Sequence, residues 1–141
     1  MARIKLSFPL SFSFFTLLPI RITDLNYGNH VGNDAILSLL HEARMQYLKS
    51  FGYTELQFEG IGLIMRDVAI EFKAEVFYGE VVKAYVTTDD ITKVGFDIYY
   101  KLVKDDAETV VAIAKTGMVG FNYNTRKVVS VPTEAVMKMK R

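Results

Sequence analysis

Residues 22–48, ITDLNYGNHVGNDAILSLLHEARMQYL, combine a polar turn with the start of an apolar helix pattern. The turn is rich in asparagine, aspartate and glycine, which favour tight turns and helix starts. Both histidines of the chain, His30 and His41, lie in this stretch. Such a concentration of polar groups in front of a helix indicates either a functional loop or a polar turn that only caps the helix.

One long helix is predicted over residues 33–51. Its apolar residues recur at helical spacing on one face, namely Ile36, Leu39, Leu40, Ala43 and Tyr47. Asn33 or Asp34 is expected to cap the helix start, because a short polar side chain accepts hydrogen bonds from the free amides there. Gly52 is expected to end the helix.

The chain on both sides of this helix has the pattern of β-strands. In residues 67–76, DVAIEFKAEV, apolar and polar residues alternate, which indicates one buried and one solvated face. Segments 81–91, 96–104 and 110–123 are also strand-like, and polar turns separate them. The phenylalanine-rich run 8–20 is interpreted as a first strand. The sequence therefore predicts an α+β domain, with a mostly antiparallel sheet of five or more strands wrapped around one long helix.

Length and composition limit the classes of function. The 141 residues contain no repeat or linker, and we expect a single domain over residues 1–141. Seventeen Lys+Arg against sixteen Asp+Glu give a formal charge of +1, which does not favour a nucleic-acid partner. The chain has no cysteine, which excludes disulfides, thiolate metal sites and cysteine nucleophiles.

The apolar run near the start of the chain and the basic residues at its end each need an interpretation. MARIK followed by the apolar run 8–20 resembles the first two parts of a signal peptide, but no A-x-A-like cleavage site follows. The run is also too short for a membrane span, which needs about 20 apolar residues. We therefore expect a cytoplasmic protein without a membrane partner. The basic tail VMKMKR is interpreted as a solvated terminus.

The order strand, loop, helix and four strands, together with the segment DLNYGNHVGN…HEAR, resembles the hot-dog fold thioesterases. The similar branch includes 4-hydroxybenzoyl-CoA thioesterase and related acyl-CoA thioester hydrolases, and it carries roughly D-x-D-x-x-G-H-V-N-N, then a helix with E-x-A-R. The residues that match are His30, Val31, Asn33, Glu42, Ala43 and Arg44. The resemblance covers nearly the whole chain. It implies a hot-dog fold, an acyl-CoA substrate, no cofactor, and a homodimer or homotetramer with its site between subunits.

The chain departs from this branch at the second aspartate of the motif, the usual catalytic carboxylate. Asn26 stands at that position, whereas Asp24 keeps the first aspartate. An amide cannot act as a general base or as a carboxylate nucleophile at neutral pH. Asn26 can still orient a water molecule or bond the thioester carbonyl.

Thioester hydrolysis needs a group that holds the carbonyl oxygen and a group that activates water. By resemblance, the backbone amide of Asn33 holds the oxygen, and free amides at a helix start suit this task. Gly28 and Gly32 let a ligand come close to the backbone. Glu42 is the first candidate for the carboxylate, because the chain also resembles a second branch of hot-dog thioesterases, in which a Glu or Asp about two helical turns into the helix is the base or nucleophile. The nine residues from Asn33 to Glu42 are taken to bring both side chains to nearly the same helix face. Asp34 is the second candidate, with a role in the helix cap as its alternative.

The remaining polar residues of the stretch have weaker assignments. Asp24 is a third carboxylate and substrate-binding candidate, with turn formation as its alternative. His30 bonds a substrate carbonyl or positions water, or else it bonds only the backbone. His41 polarises Glu42 or lies on the helix flank, and Glu42 itself pairs with Gln46 or Arg44 if it is only an exposed acid. No metal site is expected from the histidines and Glu42, because their spacing matches no ligand pattern.

The phosphates of coenzyme A call for lysine or arginine, and the sequence does not choose among the candidates, which are Arg66, Lys73, Lys83, Lys93, Lys101 and Lys115.

Two other functions stay open besides hydrolysis. One is a hot-dog protein that binds acyl thioesters or another small ligand without turnover. Asn26 is the reason to consider it, because an amide stands at the position of the usual catalytic carboxylate. The other is an unrelated small α+β interaction domain.

Overall fold

The computed structural model describes residues 3–7, 9 and 11–140, and they form one sheet with helices against it. The strands are β1 (Phe14–Pro19), β2 (Gly62–Phe72), β3 (Val81–Asp89), β4 (Gly95–Lys104), β5 (Val110–Asn122) and β6 (Lys127–Val129). The helices are α1 (Asn33–Ser50) and α2 (Thr133–Lys140), and a single 3-10 turn, Ile22–Asp24, follows β1. The pairing is antiparallel throughout in the order β1-β3-β4-β5-β2, with β6 also on β5. The predicted antiparallel sheet with a helix packed against it is confirmed, and this helix, α1, has 18 residues.

The long helix α1 buries the face that its sequence predicts. All five apolar residues of the predicted stripe are at most 5% exposed: Ile36, Leu39, Leu40, Ala43 and Tyr47. They belong to one core cluster with side chains of the sheet's inner face, which alternate along the strands as a pleated sheet requires: Val82, Ala84 and Val86 of β3, Phe96, Ile98 and Leu102 of β4, and Ala112, Ala114 and Met118 of β5. The core of the domain therefore lies between α1 and the central strands.

The ends of α1 confirm one expectation and correct another. Gly52 lies just beyond the helix at φ +84°, the left-handed conformation that glycine adopts at little cost, and its amide donates to the Lys49 carbonyl at 2.9 Å. At the other end neither Asn33 nor Asp34 caps the helix. They are its first two residues, and the cap position belongs to Gly32, which has no side chain to accept a bond.

The apolar face predicted for residues 67–76 is wrong in part. Val68 and Phe72 are 37% and 49% exposed, although both lie on the inner face of β2. The cause is position, because β2 forms an edge of the sheet, whereas α1 packs on β1 and β3. Strand β2 also ends at Phe72, so Val76 lies outside it, where it is buried next to the loop before α1.

The solvated tail predicted for residues 136–141 is wrong for Val136 and Met139, which are buried, and Arg141 lies outside the described residues. Residues 133–140 form α2, which buries Ala135, Val136 and Met139 while its lysines face outward. The Tyr47 hydroxyl of α1 donates to the Met139 carbonyl at 2.8 Å, so α2 is tied to the core. The spacing of Ala135, Val136 and Met139 suits a helix, but a segment of eight residues is too short to give a strong helical pattern in the sequence.

A buried polar network joins α1 to the sheet. Arg44 is 5% exposed; its Nε donates to Glu55 Oε1 at 2.6 Å and its Nη1 to the Tyr100 hydroxyl at 3.3 Å. The Tyr100 hydroxyl also lies 2.7 Å from Thr116 Oγ1. Burial raises the pKa of Tyr100, so its phenol stays protonated; it accepts from Arg44 and shares a hydrogen bond with the Thr116 hydroxyl. This network connects α1, the loop after it, β4 and β5.

Loss of the arginine is expected to destabilise the domain. Arg44→Ala should lower the free energy of unfolding by about 2–4 kcal/mol, because it leaves Glu55 and Tyr100 without their charged partner. Tyr100→Phe should cost about 1–2 kcal/mol, since it removes one hydroxyl from the same network. Urea denaturation measures both, with the exposed Lys127→Ala as control. An Arg44→Ala protein as stable as this control would show that the network contributes nothing.

Candidate active site

The loop before α1 is a small hairpin. Leu25 and Val31 form an antiparallel bridge, and the Asn26 amide donates to the His30 carbonyl at 2.9 Å. The Asn29 amide donates to the Asn26 carbonyl at 3.1 Å, and Asn29 itself has φ +62°, which asparagine tolerates better than most residues. The polar residues of the motif are therefore held in a defined turn.

Both ends of this loop are anchored. The Asp24 carboxylate is 5% exposed and accepts from the Arg21 amide at 2.8 Å and from the Arg21 guanidinium at 3.2 Å. The Asp24 carbonyl accepts from the Gly32 amide at 3.1 Å. The Val31 amide donates to the Val76 carbonyl at 2.8 Å. Asp24 therefore stabilises the turn, which is the role predicted as the alternative to substrate binding.

The first amides of α1 are open. The Gly32 carbonyl accepts from the Ile36 amide at 3.1 Å, which is the first helical hydrogen bond. Within the described part of the chain, no protein group accepts from the amides of Asn33, Asp34 or Ala35. These amides carry the partial positive charge of the helix start, so they form an anion-attracting group of donors.

Two polar side chains converge on Gly32 at this helix start. A methyl group built on Gly32 would lie 2.6 Å from Asp34 Oδ1, 3.4 Å from Asn26 Cβ and 3.7 Å from Asn26 Nδ2. Any side chain at Gly32 would displace the Asp34 carboxylate. The structure therefore brings Asp34, Asn26 and the open amides together, and it does so because this position is glycine.

Asn26 and His30 present defined groups at this turn. Asn26 Oδ1 accepts from the Gly28 amide at 2.8 Å, which leaves its NH₂ group to donate. His30 Nδ1 lies 3.0 Å from the Val31 carbonyl oxygen. Because a carbonyl only accepts, Nδ1 carries the hydrogen and Nε2 of the neutral ring is an acceptor. A methyl group on Gly28 would lie 3.2 Å from that Nε2, so a glycine keeps the space beside the ring open.

A cleft of about 230 Å³ opens beside the helix start. His30 and Asn33 line it, with a largely apolar wall of Val31, Ile36, Phe72, Ala74, Val76 and Val111, and with Lys73 and Glu75 as its charged residues. Sequence reasoning did not connect the segment 72–76 with the helix start. The contact that does so, from Val31 to Val76, joins residues 45 positions apart and leaves no local pattern.

Glu42 lies elsewhere, and its expected position was wrong. Nine residues at about 100° each make two and a half turns, so Glu42 lies on the opposite side of α1 from Asn33 and about 13 Å along the axis. It lines a groove between α1 and β1, together with Leu17, Arg21 and other residues. Glu42 is exposed, and its Oε2 accepts from Gln46 Nε2 at 2.8 Å. His41 Nε2 lies 3.8 Å from Glu55 Oε1 and, among the described residues, makes no bond with Glu42.

Neither a metal centre nor a membrane helix is found over residues 3–7, 9 and 11–140. No three histidine, aspartate or glutamate side chains in these residues are grouped closely enough to hold a metal ion. None of their helices is both long enough and apolar enough to cross a membrane.

Asp24 provides a test of the loop anchors. Asp24→Ala should lower the free energy of unfolding by about 1–3 kcal/mol, because the Arg21 amide loses the buried carboxylate that accepts its hydrogen bond. Arg21→Ala removes only the exposed guanidinium and keeps the backbone amide that donates to Asp24, so its cost should stay within about 1 kcal/mol. Thermal and urea denaturation compare the two variants. Equal losses would contradict the anchoring role of the Asp24 carboxylate.

Comparison with known proteins agrees with this architecture. The family model of the thioesterase-like superfamily matches residues 20–139. The crystal structure of Slr0204, a 1,4-dihydroxy-2-naphthoyl-CoA thioesterase from Synechocystis, is similar with a TM-score of 0.81 at 19% identity, covering 91% of this chain and 98% of that one. The DHNA-CoA thioesterase from Staphylococcus aureus gives a TM-score of 0.79 at 17% identity, covering 88% of each chain.

A third similar structure is a thioesterase from Thermus thermophilus, complexed with coenzyme A and Zn. It has a TM-score of 0.78 at 17% identity and covers 93% of this chain and 99% of its own. At these identities the solved structures establish the fold, and the family model establishes the family. The chain therefore has the hot-dog fold and belongs to the thioesterase-like superfamily.

Proposed function

We propose that this protein hydrolyses acyl-CoA thioesters at the start of α1. The observation that carries the proposal is the convergence of the Asp34 carboxylate, the Asn26 amide and the open helix amides on Gly32, next to a cleft with an apolar wall. Membership of the thioesterase-like superfamily supports a thioester substrate. Coenzyme A as the thiol carrier is supported by the Thermus thermophilus thioesterase, whose structure holds that molecule.

The open amides hold the carbonyl oxygen of the thioester in this proposal. As water adds to the carbonyl carbon, the oxygen gains negative charge, and the amides of Asn33 and its neighbours already point outward from the helix start. Preorganised donors of this kind lower the barrier by about 3–4 kcal/mol each. The acyl group lies along the apolar wall, on Ile36, Phe72 and Val111.

Asp34 is the proposed general base, ahead of Glu42. Its carboxylate lies against Gly32 at the helix start, whereas Glu42 lies on the other side of α1. Asp34 takes a proton from water as the water oxygen bonds to the carbonyl carbon. The C–S bond then breaks, the carboxylic acid leaves, and the coenzyme A thiolate takes up the proton.

Asn26 and His30 position the reactants. Asn26 cannot replace the catalytic aspartate of similar enzymes, but its free NH₂ group lies beside Gly32 and can hold the water oxygen. His30 lines the cleft with an acceptor Nε2, which can bond the attacking water or an N–H group of the pantetheine arm.

The assembly proposed from the sequence has a physical basis in β2. This strand is an edge of the sheet, and it leaves Met65, Val68 and Phe72 between 36% and 49% exposed. Pairing with the same strand of a second copy would satisfy its open backbone groups and cover these side chains. We therefore propose a homodimer, or a tetramer built from it, with the cleft residue Phe72 beside the boundary between subunits.

Binding without turnover is the second candidate function. The observation that favours it is Asn26, because the usual catalytic carboxylate is missing at that position. Under this second function, acyl-CoA esters bind to the cleft and no thiol is released.

Substitution of the two carboxylates tests the mechanism. Asp34→Asn should lower kcat by about 10²–10⁴-fold, the usual contribution of a general base. Glu42→Gln should leave kcat nearly unchanged, since this matched exposed acid lies away from the cleft. Thiol release from short, long and aromatic acyl-CoA esters is the measurement.

The reverse result, with Glu42→Gln inactive and Asp34→Asn active, would refute the assignment of the base. Absence of release from every ester by the unmodified protein, while the esters still bind, would instead support binding without turnover.

A further inference from the structure

Strand β1 has an open edge. It is the last strand of the sheet and, within the described part of the chain, pairs only with β3. The Ile20 amide donates to the Glu80 carbonyl at 3.0 Å, and this pair continues the β1–β3 register. Because successive residues of an antiparallel strand point their backbone groups to alternate sides, those of Phe15 and Leu17 point away from β3. Two amides and two carbonyls therefore face the open edge.

This edge lacks the features that usually prevent another strand from joining. Edge strands are commonly protected by a charged side chain, a bulge or a proline within the strand. The residues of β1, FFTLLP, carry no charge, and their register with β3 runs without a shift to Pro19, the last residue. Phe15 and Leu17 are 55% and 47% exposed. Strand β1 therefore presents an apolar edge that an extended chain can join.

A groove follows this edge along α1. It consists of two adjoining parts with volumes of about 410 Å³ and 930 Å³. Residues 17–19 of β1 line the first part and residues 14–16 line the second. Glu42, Met45 and Gln46 of α1 line both parts, so the groove is continuous from one end of β1 to the other.

The groove has the length of a short strand. The six residues of β1 span about 20 Å at the usual rise of an extended chain. The α1 residues that line the groove run from Ser38 to Ser50, which corresponds to about 18 Å of helix. An extended segment of about six residues therefore fits between the edge of β1 and α1.

Neither the amino-terminal segment nor a second copy of the chain suits this edge. The Leu6 amide donates to Glu71 Oε2 of β2 at 2.8 Å, so the segment before β1 reaches the opposite edge of the sheet. A second copy is already proposed to join at β2. If β1 joined copies as well, each copy would carry two joining edges and the sheet would grow without closing, unlike most soluble assemblies. These constraints favour a segment of a different protein.

A strand added at this edge would contact α1 with alternate side chains. The Thr16 hydroxyl donates to Gln46 Oε1, so this residue of β1 points toward α1. Side chains of the added strand opposite Thr16 would point the same way, next to Met45, which is 36% exposed. Those opposite Phe15 and Leu17 would lie beside these two apolar side chains on the other face. Both faces therefore favour apolar or β-branched residues in the partner.

Lys49 adds a preference for charge. It is exposed and lines the groove, and within the described residues it makes no ion pair with a carboxylate. The acid of the groove, Glu42, already accepts from Gln46 Nε2 at 2.8 Å. A carboxylate at the end of the partner segment would complement the free charge of Lys49.

We propose that the open edge of β1 and the groove along α1 bind an extended segment of another protein, about six residues long, with apolar or β-branched residues and an acidic residue beside Lys49. The segment adds to the sheet as a further strand, and its backbone bonds with Phe15 and Leu17. The groove does not include Gly32, Asn26 or Asp34, so this inference is independent of the proposed function.

The probe for this site is an acetylated and amidated peptide, Asp-Val-Thr-Val-Thr-Val-Asp, with an aspartate at each end because a strand can add in either direction. Nuclear magnetic resonance titration should shift the amide signals of Phe15 and Leu17. The Thr16 amide, which points toward β3, should move less.

Two substitutions of Leu17 separate backbone pairing from apolar contact. Leu17→Pro removes an amide that faces the open edge and leaves the bonds to β3, so it should weaken peptide binding about tenfold. Leu17→Thr keeps that amide and should weaken binding less. Thiol release by both variants should equal that of the unmodified protein, so the failure of this site and the failure of the proposed function are seen separately.

A charge reversal tests the other half of the site. Lys49→Glu should weaken binding of the aspartate peptide about 2–5-fold, the range of an exposed ion pair, and strengthen binding of the same peptide with lysine at both ends. Equal affinity of the two Leu17 variants, or binding that leaves the Phe15 and Leu17 amides unshifted, would overturn the site. Sedimentation that shows concentration-dependent growth of the unmodified protein, but not of Leu17→Pro, would mean that the edge joins copies of this chain and would overturn the foreign partner.

Discussion

The open amides at the start of α1 are the constraint on which the proposed site depends. A helix start has donors that its own hydrogen bonds cannot satisfy, and proteins usually cover them with a side chain of the cap residue. Here the cap residue is Gly32, which has no side chain to accept hydrogen bonds from these amides. The same glycine leaves the space that the Asp34 carboxylate occupies. Because Gly32 has no side chain, the first amides of α1 stay open and the Asp34 carboxylate has room beside them.

The rest of the domain keeps this helix start in place. Leu40, Ala43, Tyr47 and Leu48 are fully buried against the sheet, so α1 cannot shift without opening the core. The polar network of Arg44 ties the middle of α1 to β4 and β5, and the bonds of Asp24 and Val31 hold the loop in front of it. Donors that are fixed in this way need little reorganisation when charge develops on a substrate, which is how preorganised donors lower a barrier.

The features of the fold that depend on local periodicity could be predicted from the sequence. The buried stripe of α1 follows from the 3.6-residue repeat, and Gly52 as its end follows from glycine's freedom at positive φ. The predicted cap at Asn33 or Asp34 was wrong, because the cap residue is Gly32, and a glycine gives no side-chain signal that sequence patterns can use. The placement of Glu42 failed for a simpler reason, since nine residues of helix are two and a half turns and not a whole number.

Other features have no local signal at all. The alternation in β2 identifies an apolar face but not whether α1 reaches it, so the exposure of Val68 and Phe72 depends on strand order. The contact between Leu6 and Glu71 joins residues 65 positions apart. Membership of the thioesterase-like superfamily likewise leaves the catalytic acid open, because Asn26 occupies the usual position of that acid.

Nuclear magnetic resonance of the backbone amides tests the central claim most directly. The ligand is a coenzyme A analogue in which a methylene group separates the sulfur from the acyl carbonyl, so that it binds without being cleaved. The account predicts that the amide protons of Asn33, Asp34 and Ala35 shift downfield as the carbonyl oxygen accepts from them, while amides in the middle of α1 stay in place. If the analogue binds and these three resonances do not move, the open helix start is not the site that holds the thioester.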